Sequence, residues 1–392
     1  MTKQLHNTKS EIKNEIPLVW GSNPHLQNFY SSILRSNPKV RYRREVIPDP
    51  LYQEPICLDW VVSDKDEEEE QNAGDNENTR PTLIILPGVT GASTSSYINH
   101  FVQHFRHKYR IVVYTRPGCD ENTPLTHYQI RLNAHSDTIH AILNHVDGTS
   151  HGRSPLLVAS FSMGGQNIAK YLANYGERAN GNLIGSLAIC NPFDTSATVH
   201  GIARDYPLID RVMTENMKKI VWRNRELFES LERTMIESAL QSSSPTPTKD
   251  ETAATIATAT ATATTTIESS DRLDIKGLKS VKSMRELDLK LTKHLHNFKS
   301  VEDEYYAPTS VSQEDLGRIR RRIVFLHADD DPVVRMEHVP NQVVPNNDNV
   351  IFLSTSHGSH CSYASTAASV GTYPHCPSSS SMTTLLSCIL PR

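Results

Sequence analysis

Residues 155–170 read PLLVASFSMGGQNIAK. An apolar run, Leu156, Leu157 and Val158, is long enough for a buried strand and stops at Ser160-Phe161-Ser162-Met163-Gly164. A helix-compatible segment carrying Gln166, Asn167, Ala169 and Lys170 follows at once. The pattern predicts strand, sharp turn, helix. A Ser at the tip of such a turn is strained and exposed, and the residues two before and two after it must be small so that the backbones pass closely. Ser162 takes the tip, with Ser160 and Gly164 in the small positions. Ser160 stands where the usual motif has Gly, and short Ser/Gly runs also make ordinary turns, so a nucleophile here needs partners elsewhere in the chain.

Outward from this point, residues 82–86 (TLIIL) and 110–115 (RIVVYT) read as buried strands, and so does IGSLAIC at 184–190. Between them, residues 97–107 place Ile98, Phe101, Val102 and Phe105 at helical spacing, and 133–146 read as a second helix. The alternation β-α-β-α-β-α-β specifies an α/β fold, a parallel sheet covered on both faces. His100, His104 and His107 fall on or near the polar side of the first helix and read as solvated side chains, with no carboxylate cluster to make a metal site. Ahead of the parallel set, 40–47 (VRYRREVI) and 56–62 (ICLDWVV) flank a Pro-containing turn and predict an antiparallel hairpin. The strand TLIIL runs into Pro87-Gly88-Val89-Thr90-Gly91, a loop able to turn backbone N–H groups toward a developing oxyanion.

From about 194 to 306 the rhythm changes to helix without strand, and residues 209–240 carry Val212, Met213, Met217, Ile220, Val221, Leu227 and Leu231 at three and four spacing. This is a cap candidate lying over the sheet. Strand-like runs resume at 322–327 (RIVFLH) and 350–353 (VIFL). The predicted organisation is a flexible N-terminus (1–22), a first part of the core (23–193), a helical cap (194–306) and a second part of the core (307–392) with an irregular C-terminus. Within these, 64–80 is an acidic solvated loop and 242–270, centred on TIATATATATTT, a low-complexity tract with too little apolar area to offset the entropy of ordering.

The chain has 392 residues, 37% of them hydrophobic, which suffices for one large α/β domain with insertions. A net charge of −4 supplies no basic field for nucleic acid. Six cysteines, Cys57, Cys119, Cys190, Cys361, Cys376 and Cys388, occur without a CxxC pair, and the first residues show neither a signal peptide nor a membrane span. These features predict an intracellular protein with reduced thiols, cytoplasmic or held peripherally at a membrane. They leave the oligomeric state open.

A hydroxyl is a poor nucleophile at its free pKa, so Ser162 requires a general base and a carboxylate that fixes the base's tautomer. On sheets with such an elbow the partners follow in the order Ser, acid, His, on loops after later strands. After RIVFLH comes Ala328-Asp329-Asp330-Asp331-Pro332, and after VIFLS comes Thr355-Ser356-His357-Gly358-Ser359-His360. Both loops lie at C-terminal strand ends, where catalytic groups gather in α/β sheets. Asp331 is the favoured acid because Pro332 fixes the turn, with Asp330 in reserve; His360 is favoured over His357 as the base. A His357/His360 metal pair lacks a third ligand of clear spacing, and neither metal nor cofactor is called for.

With these residues in place the chain resembles the AB hydrolase 4 family of α/β-hydrolases, which includes the bacterial YheT-like hydrolases, plant embryogenesis-associated hydrolases, animal lipid esterases and fungal medium-chain ethyl ester synthase/esterases. The likeness runs from Asn23 to about Tyr363. It is carried by NPHLQNFYSSILR, YRREVI, LDW, LPGVTGAS, RPGC, SFSMGG, NPFD, MRELDLKLT, VEDEYYAPTS, DDPVV and TSHGSH. The resemblance implies an α/β-hydrolase fold with an inserted helical cap, Ser162 as nucleophile, Asp331 as acid and His360 as base, 29 residues apart. It also implies backbone N–H groups of Val89 and Met163 as oxyanion donors. Three departures stand out: Pro117 within Arg116-Pro117-Gly118-Cys119, Ser359 in place of the Gly before the His, and an irregular sequence after Tyr363.

The expected activity is hydrolysis of carboxylic esters by a serine carboxylesterase or lipase, on short- to medium-chain acyl esters or acyl lipids, through an acyl-enzyme. Two other readings share the scaffold: an acyltransferase that passes the acyl group to an alcohol, and a non-catalytic binding protein, which the complete Ser/Asp/His set argues against. The expected partner is a small acyl ester or lipid, with peripheral membrane contact and no nucleic acid.

Overall fold

The computed structural model describes residues 10–12, 36–51, 55–62, 80–127, 135–243, 272–340, 347–356 and 358–361. Nearly all of the expected acidic loop, most of the low-complexity tract, His357 and the irregular C-terminus lie outside the described residues.

Among the described residues nine strands form one sheet: β1 (Ser10–Ile12), β2 (Tyr42–Ile47), β3 (Ile56–Val61), β4 (Thr82–Leu86), β5 (Arg110–Thr115), β6 (Leu156–Phe161), β7 (Leu183–Ile189), β8 (Ile323–Ala328) and β9 (Val350–Thr355). Their spatial order is β1-β9-β8-β7-β6-β4-β5-β3-β2. The hairpin β2–β3 pairs antiparallel from Tyr42 opposite Val61 to Ile47 opposite Ile56, and β3 runs antiparallel to β5. The other neighbours are parallel. Ser10–Ile12 falls in the N-terminal stretch expected to be loose; instead it joins the edge beside β9, where its backbone meets an otherwise open strand.

Side chains alternate across each central strand. On β6, Leu156 and Val158 enter one face of the core, and Leu157, Ala159 and Phe161 enter the other. The first face is covered by α2 (Ser136–Gly148) and α3 (Met163–Tyr175). The second is covered by α1 (Ser96–Phe105), whose Ile98, Phe101, Val102 and Phe105 are buried as their spacing requires. Each such side chain contributes roughly 1.5–3 kcal/mol of burial.

Between β7 and β8 the described residues carry helices: α4 (Thr195–Asp205), α5 (Pro207–Arg223), α6 (Arg225–Ser243), then α7 (Met284–Leu287), a π-helical turn Asp288–Thr292 and α8 (Lys293–Leu295). A second π-helical turn, Glu302–Tyr306, leads into α9 (Ala307–Thr309), followed by α10 (Gln313–Arg318). The periodic run 209–240 is two helices broken at Asn224. Its side-chain nitrogen donates to the Ile220 carbonyl at 2.8 Å while its side-chain oxygen accepts from the Leu125 N–H at 2.9 Å. Met217, Ile220, Val221 and Phe228 pack with Met163 at the start of α3, so the insertion rests on the elbow.

Candidate active site

Ser162 links β6 to α3 with φ 50° and ψ −122°, a conformation that costs a non-Gly residue on the order of 1–3 kcal/mol. Hydrogen bonds hold it there. The Ser162 N–H donates to the Ile189 carbonyl at 2.8 Å, and the Gly165 N–H donates to the Ser162 carbonyl at 2.8 Å. Gly164 lies against the Leu86 and Pro87 carbonyls with no room for a Cβ. Ser160 is fully buried, and its hydroxyl donates to the Leu187 carbonyl at 2.9 Å. The hydroxyl found where the motif has Gly is therefore satisfied by the neighbouring strand.

The loop after β4 is clamped from two sides. The Gly88 N–H donates to the Tyr97 hydroxyl at 3.0 Å, and the buried Arg116 guanidinium donates to the Gly88 carbonyl at 2.9 Å and the Pro87 carbonyl at 3.3 Å. The Asp59 carboxylate adds a second fastening: it accepts from Ser93 Oγ and Thr115 Oγ1, both at 2.6 Å, and from Arg44 at 2.7 and 2.9 Å. Sequence reasoning gives Tyr97, Arg116 and Asp59 no role at the site. A buried Arg at a strand's C-terminal end is the signal that points to them. Val89 of this loop and Met163 line the same cleft as Ser162. Met163 is the first residue of α3, so its N–H has no intrahelical acceptor and sits at the positive end of the helix dipole.

Asp331 and His360 lie on the loops after β8 and β9. His360 Nε2 is 3.0 Å from Ser162 Oγ, and Nδ1 is 2.9 Å from Asp331 Oδ2. With the carboxylate accepting, Nδ1 carries the proton and Nε2 turns its lone pair to the hydroxyl. Asp331 Oδ1 also accepts from the Val333 and Val334 N–H groups at 2.7 and 2.9 Å. Burial disfavours the Asp331 charge, but the facing imidazole and these backbone donors outweigh it and hold the carboxyl below its usual range. Burial likewise disfavours an imidazolium at His360, and the Asp331 carboxylate more than offsets this, raising the His360 pKa above the ordinary imidazole value. Asp330, the reserve acid, instead accepts from the Ser359 N–H at 2.7 Å and anchors the histidine loop. Ser359 has φ 47°, the left-handed region in which Gly is unstrained, which accounts for the Gly usual at that position.

A cleft opens above Ser162, with about 640 Å³ of empty space when the solvent at its open mouth is counted. Val89, Ile202, Met213, Met284 and Val333 give it apolar walls. At its polar end Asp288, on the first π-helical turn, accepts from Tyr306 Oη and Thr292 Oγ1, both at 2.7 Å. Burial pushes the Asp288 carboxyl up to about 6 against those two donors. The segments MRELDLKLT and VEDEYYAPTS thus meet through one buried hydrogen bond, a pairing that their sequence separation conceals.

A nine-stranded, mostly parallel sheet with a strained serine at a strand–helix turn is the architecture of α/β-hydrolases, and the model of the alpha/beta hydrolase fold matches residues 81–365. The chain belongs to this family. Its curated relatives fall in the AB hydrolase 4 branch. It is similar to the embryogenesis-associated protein EMB8 of Picea glauca, at 25% identity over 86% of this chain and 65% of that protein. It is 24% identical to phospholipase ABHD3 of Mus musculus, over 88% of this chain and 72% of that one. Monoacylglycerol lipase ABHD2 of the same species is 24% identical over 88% of this chain and 73% of that protein. The chain therefore spans just under two thirds of EMB8 and somewhat more of the two lipases. Among the described residues no helix is long and apolar enough to cross a membrane.

Proposed function

We propose that the chain is a serine hydrolase of carboxylic esters, with Ser162 as nucleophile, His360 as general base and Asp331 as the acid that orients it. The observation that carries this reading is the unbroken line from Asp331 Oδ2 through the His360 ring to Ser162 Oγ, with contacts of 2.9 and 3.0 Å. In this mechanism His360 Nε2 takes the Ser162 proton as Oγ attacks the ester carbonyl, and Asp331 stabilises the imidazolium so formed. The negative oxygen is received by the Val89 and Met163 N–H groups, the first held by the clamped loop and the second by the helix terminus. His360 then protonates the departing alcohol, leaving an acyl-Ser162 that water cleaves by the same route.

The apolar cleft walls favour short- to medium-chain acyl esters or acyl lipids as substrates, met in solution or by peripheral contact with a membrane. The names of two relatives, a phospholipase and a monoacylglycerol lipase, support a lipid ester. The test is turnover of p-nitrophenyl esters of graded acyl length together with fluorophosphonate labelling. Ser162→Ala is expected to abolish labelling and lower kcat on the order of 10^4 to 10^6-fold, as for a nucleophile acting as a unit with its base. Labelling that persists at another serine refutes the assignment.

A further inference from the structure

Two thiols sit beside His360 that ester hydrolysis does not use. Cys190 follows β7 and is fully buried, while Cys361, next to His360, is half-buried. Both are unbridged. The Cys361 N–H donates to Cys190 Sγ at 3.4 Å, and the Cys190 thiol donates to the Ser359 carbonyl at 3.7 Å. Cys190 and Cys361 both have positive φ, 51° and 57°, so the backbone is bent at each of them in a way that L-residues disfavour. The two sulfurs and a ring nitrogen of His360 all lie within 4.8 Å of one another.

That spacing matches a known chemistry. Zinc bonds of about 2.3 Å to sulfur and 2.0–2.1 Å to nitrogen put neighbouring ligand atoms of a tetrahedral site about 3.5–3.8 Å apart. The three groups would need to close by only about an ångström. Two thiolates and one imidazole form a soft, N/S donor set that selects Zn²⁺-class ions over Mg²⁺ or Ca²⁺. Binding is balanced by proton release: M²⁺ replaces the two thiol protons, which leave to solvent, and the two thiolate charges match the ion's.

We propose that Cys190, Cys361 and His360 form a binding site for a thiophilic divalent cation, and that the ion, by taking a ring nitrogen of His360, separates the base from Ser162 and inhibits hydrolysis. The inhibitory half rests on His360 being the base; the binding half does not. The ion is a competitor for His360 and takes no part in turnover. Because two thiol protons must leave, occupancy rises with pH.

The test uses the full chain kept reduced with a phosphine. Co²⁺ is titrated and the sulfur-to-cobalt charge-transfer band in the near ultraviolet is followed, while Zn²⁺ inhibition of ester turnover is measured in parallel with Mg²⁺ as control. The band is expected in the wild type and in Ser162→Ala, and is expected to be lost in Cys361→Ser and Cys190→Ser. The Zn²⁺ midpoint for inhibition should rise at least about ten-fold in Cys361→Ser, since losing even an outer-shell partner of a metal site costs about 10–100-fold. Cys361→Ser, at the less buried of the two thiols, carries the test should Cys190→Ser fail to fold. A missing band in the wild type, or one unchanged in Cys361→Ser, overturns the site. Equal Zn²⁺ inhibition of Cys361→Ser and the wild type overturns the inhibitory half, as does a wild type that shows the band but turns over no ester.

Discussion

Replacing Gly164 by Ala tests whether the elbow works because two backbones pass in near contact. An ideal Cβ at this position overlaps the Leu86 carbonyl oxygen and lies 2.8 Å from the Pro87 oxygen and 2.9 Å from the Leu86 carbon. Ordinary non-bonded carbon contacts begin near 3.5 Å, so the start of α3 must withdraw from the end of β4 by about 1 Å. All three obstacles are backbone atoms of a central strand and its loop, so no side chain can swing aside. Overpacking of this kind costs about 1–3 kcal/mol and sometimes more. The catalytic cost is separable: Val89 and Met163 flank this contact, and a misplacement of about 1 Å at reacting groups can lower the rate on the order of 10²-fold. Urea unfolding and kcat/KM on a p-nitrophenyl ester measure the two effects. Gly317→Ala is the control, because a Cβ there meets nothing within 4 Å and a helical Gly-to-Ala change stabilises by roughly 0.5–1 kcal/mol. A Gly164→Ala enzyme with wild-type kcat/KM would refute the close-approach argument and the oxyanion assignment built on it.

Asp331→Asn should keep the fold while lowering kcat on the order of 10^4-fold, because an amide cannot hold the Nδ1–H tautomer or balance an imidazolium; near wild-type turnover would exclude Asp331 as the acid. In the proposed mechanism His360 accepts the proton only when neutral, and its pKa is raised by Asp331, so the acid limb of kcat/KM in the wild type should lie above the unperturbed value of about 6.5, and a limb at or below that value would contradict the coupling. Tyr306→Phe removes a donor from the buried Asp288 and should cost about 1–3 kcal/mol at pH 8, read by urea denaturation. Asp288 is raised from 3.8 to about 6, so the folded state holds its proton more tightly and this group's contribution to stability falls as pH rises through that window; the Tyr306→Phe deficit should accordingly narrow at pH 5, and a deficit independent of pH would show that the hydroxyl is not bonded to an ionised carboxylate.

What the sequence by itself determined was local and periodic. The strands at 82–86 and 110–115 coincide with β4 and β5 because four consecutive apolar residues between turns have few other ways to be buried. The buried face of α1 follows in the same way from its spacing, and the elbow from small residues around Ser162. Ser162, Asp331 and His360 could be picked out in order because each follows a recognisable strand. The tertiary structure decided everything that depends on two distant segments meeting. Asp330, adjacent to Asp331 and chemically identical, bonds the Ser359 N–H, whereas Asp331 faces the imidazole; only the path of the turn separates them. Tyr97 and Arg116 hold the loop after β4 because the order β6-β4-β5 brings their segments together. Asp288 meets Tyr306 across a stretch that no periodicity spans. Hydrophobic pattern is a property of neighbours along the chain, so it can be read in one dimension. Hydrogen bonds between loops depend on directions and distances that the packed sheet alone supplies.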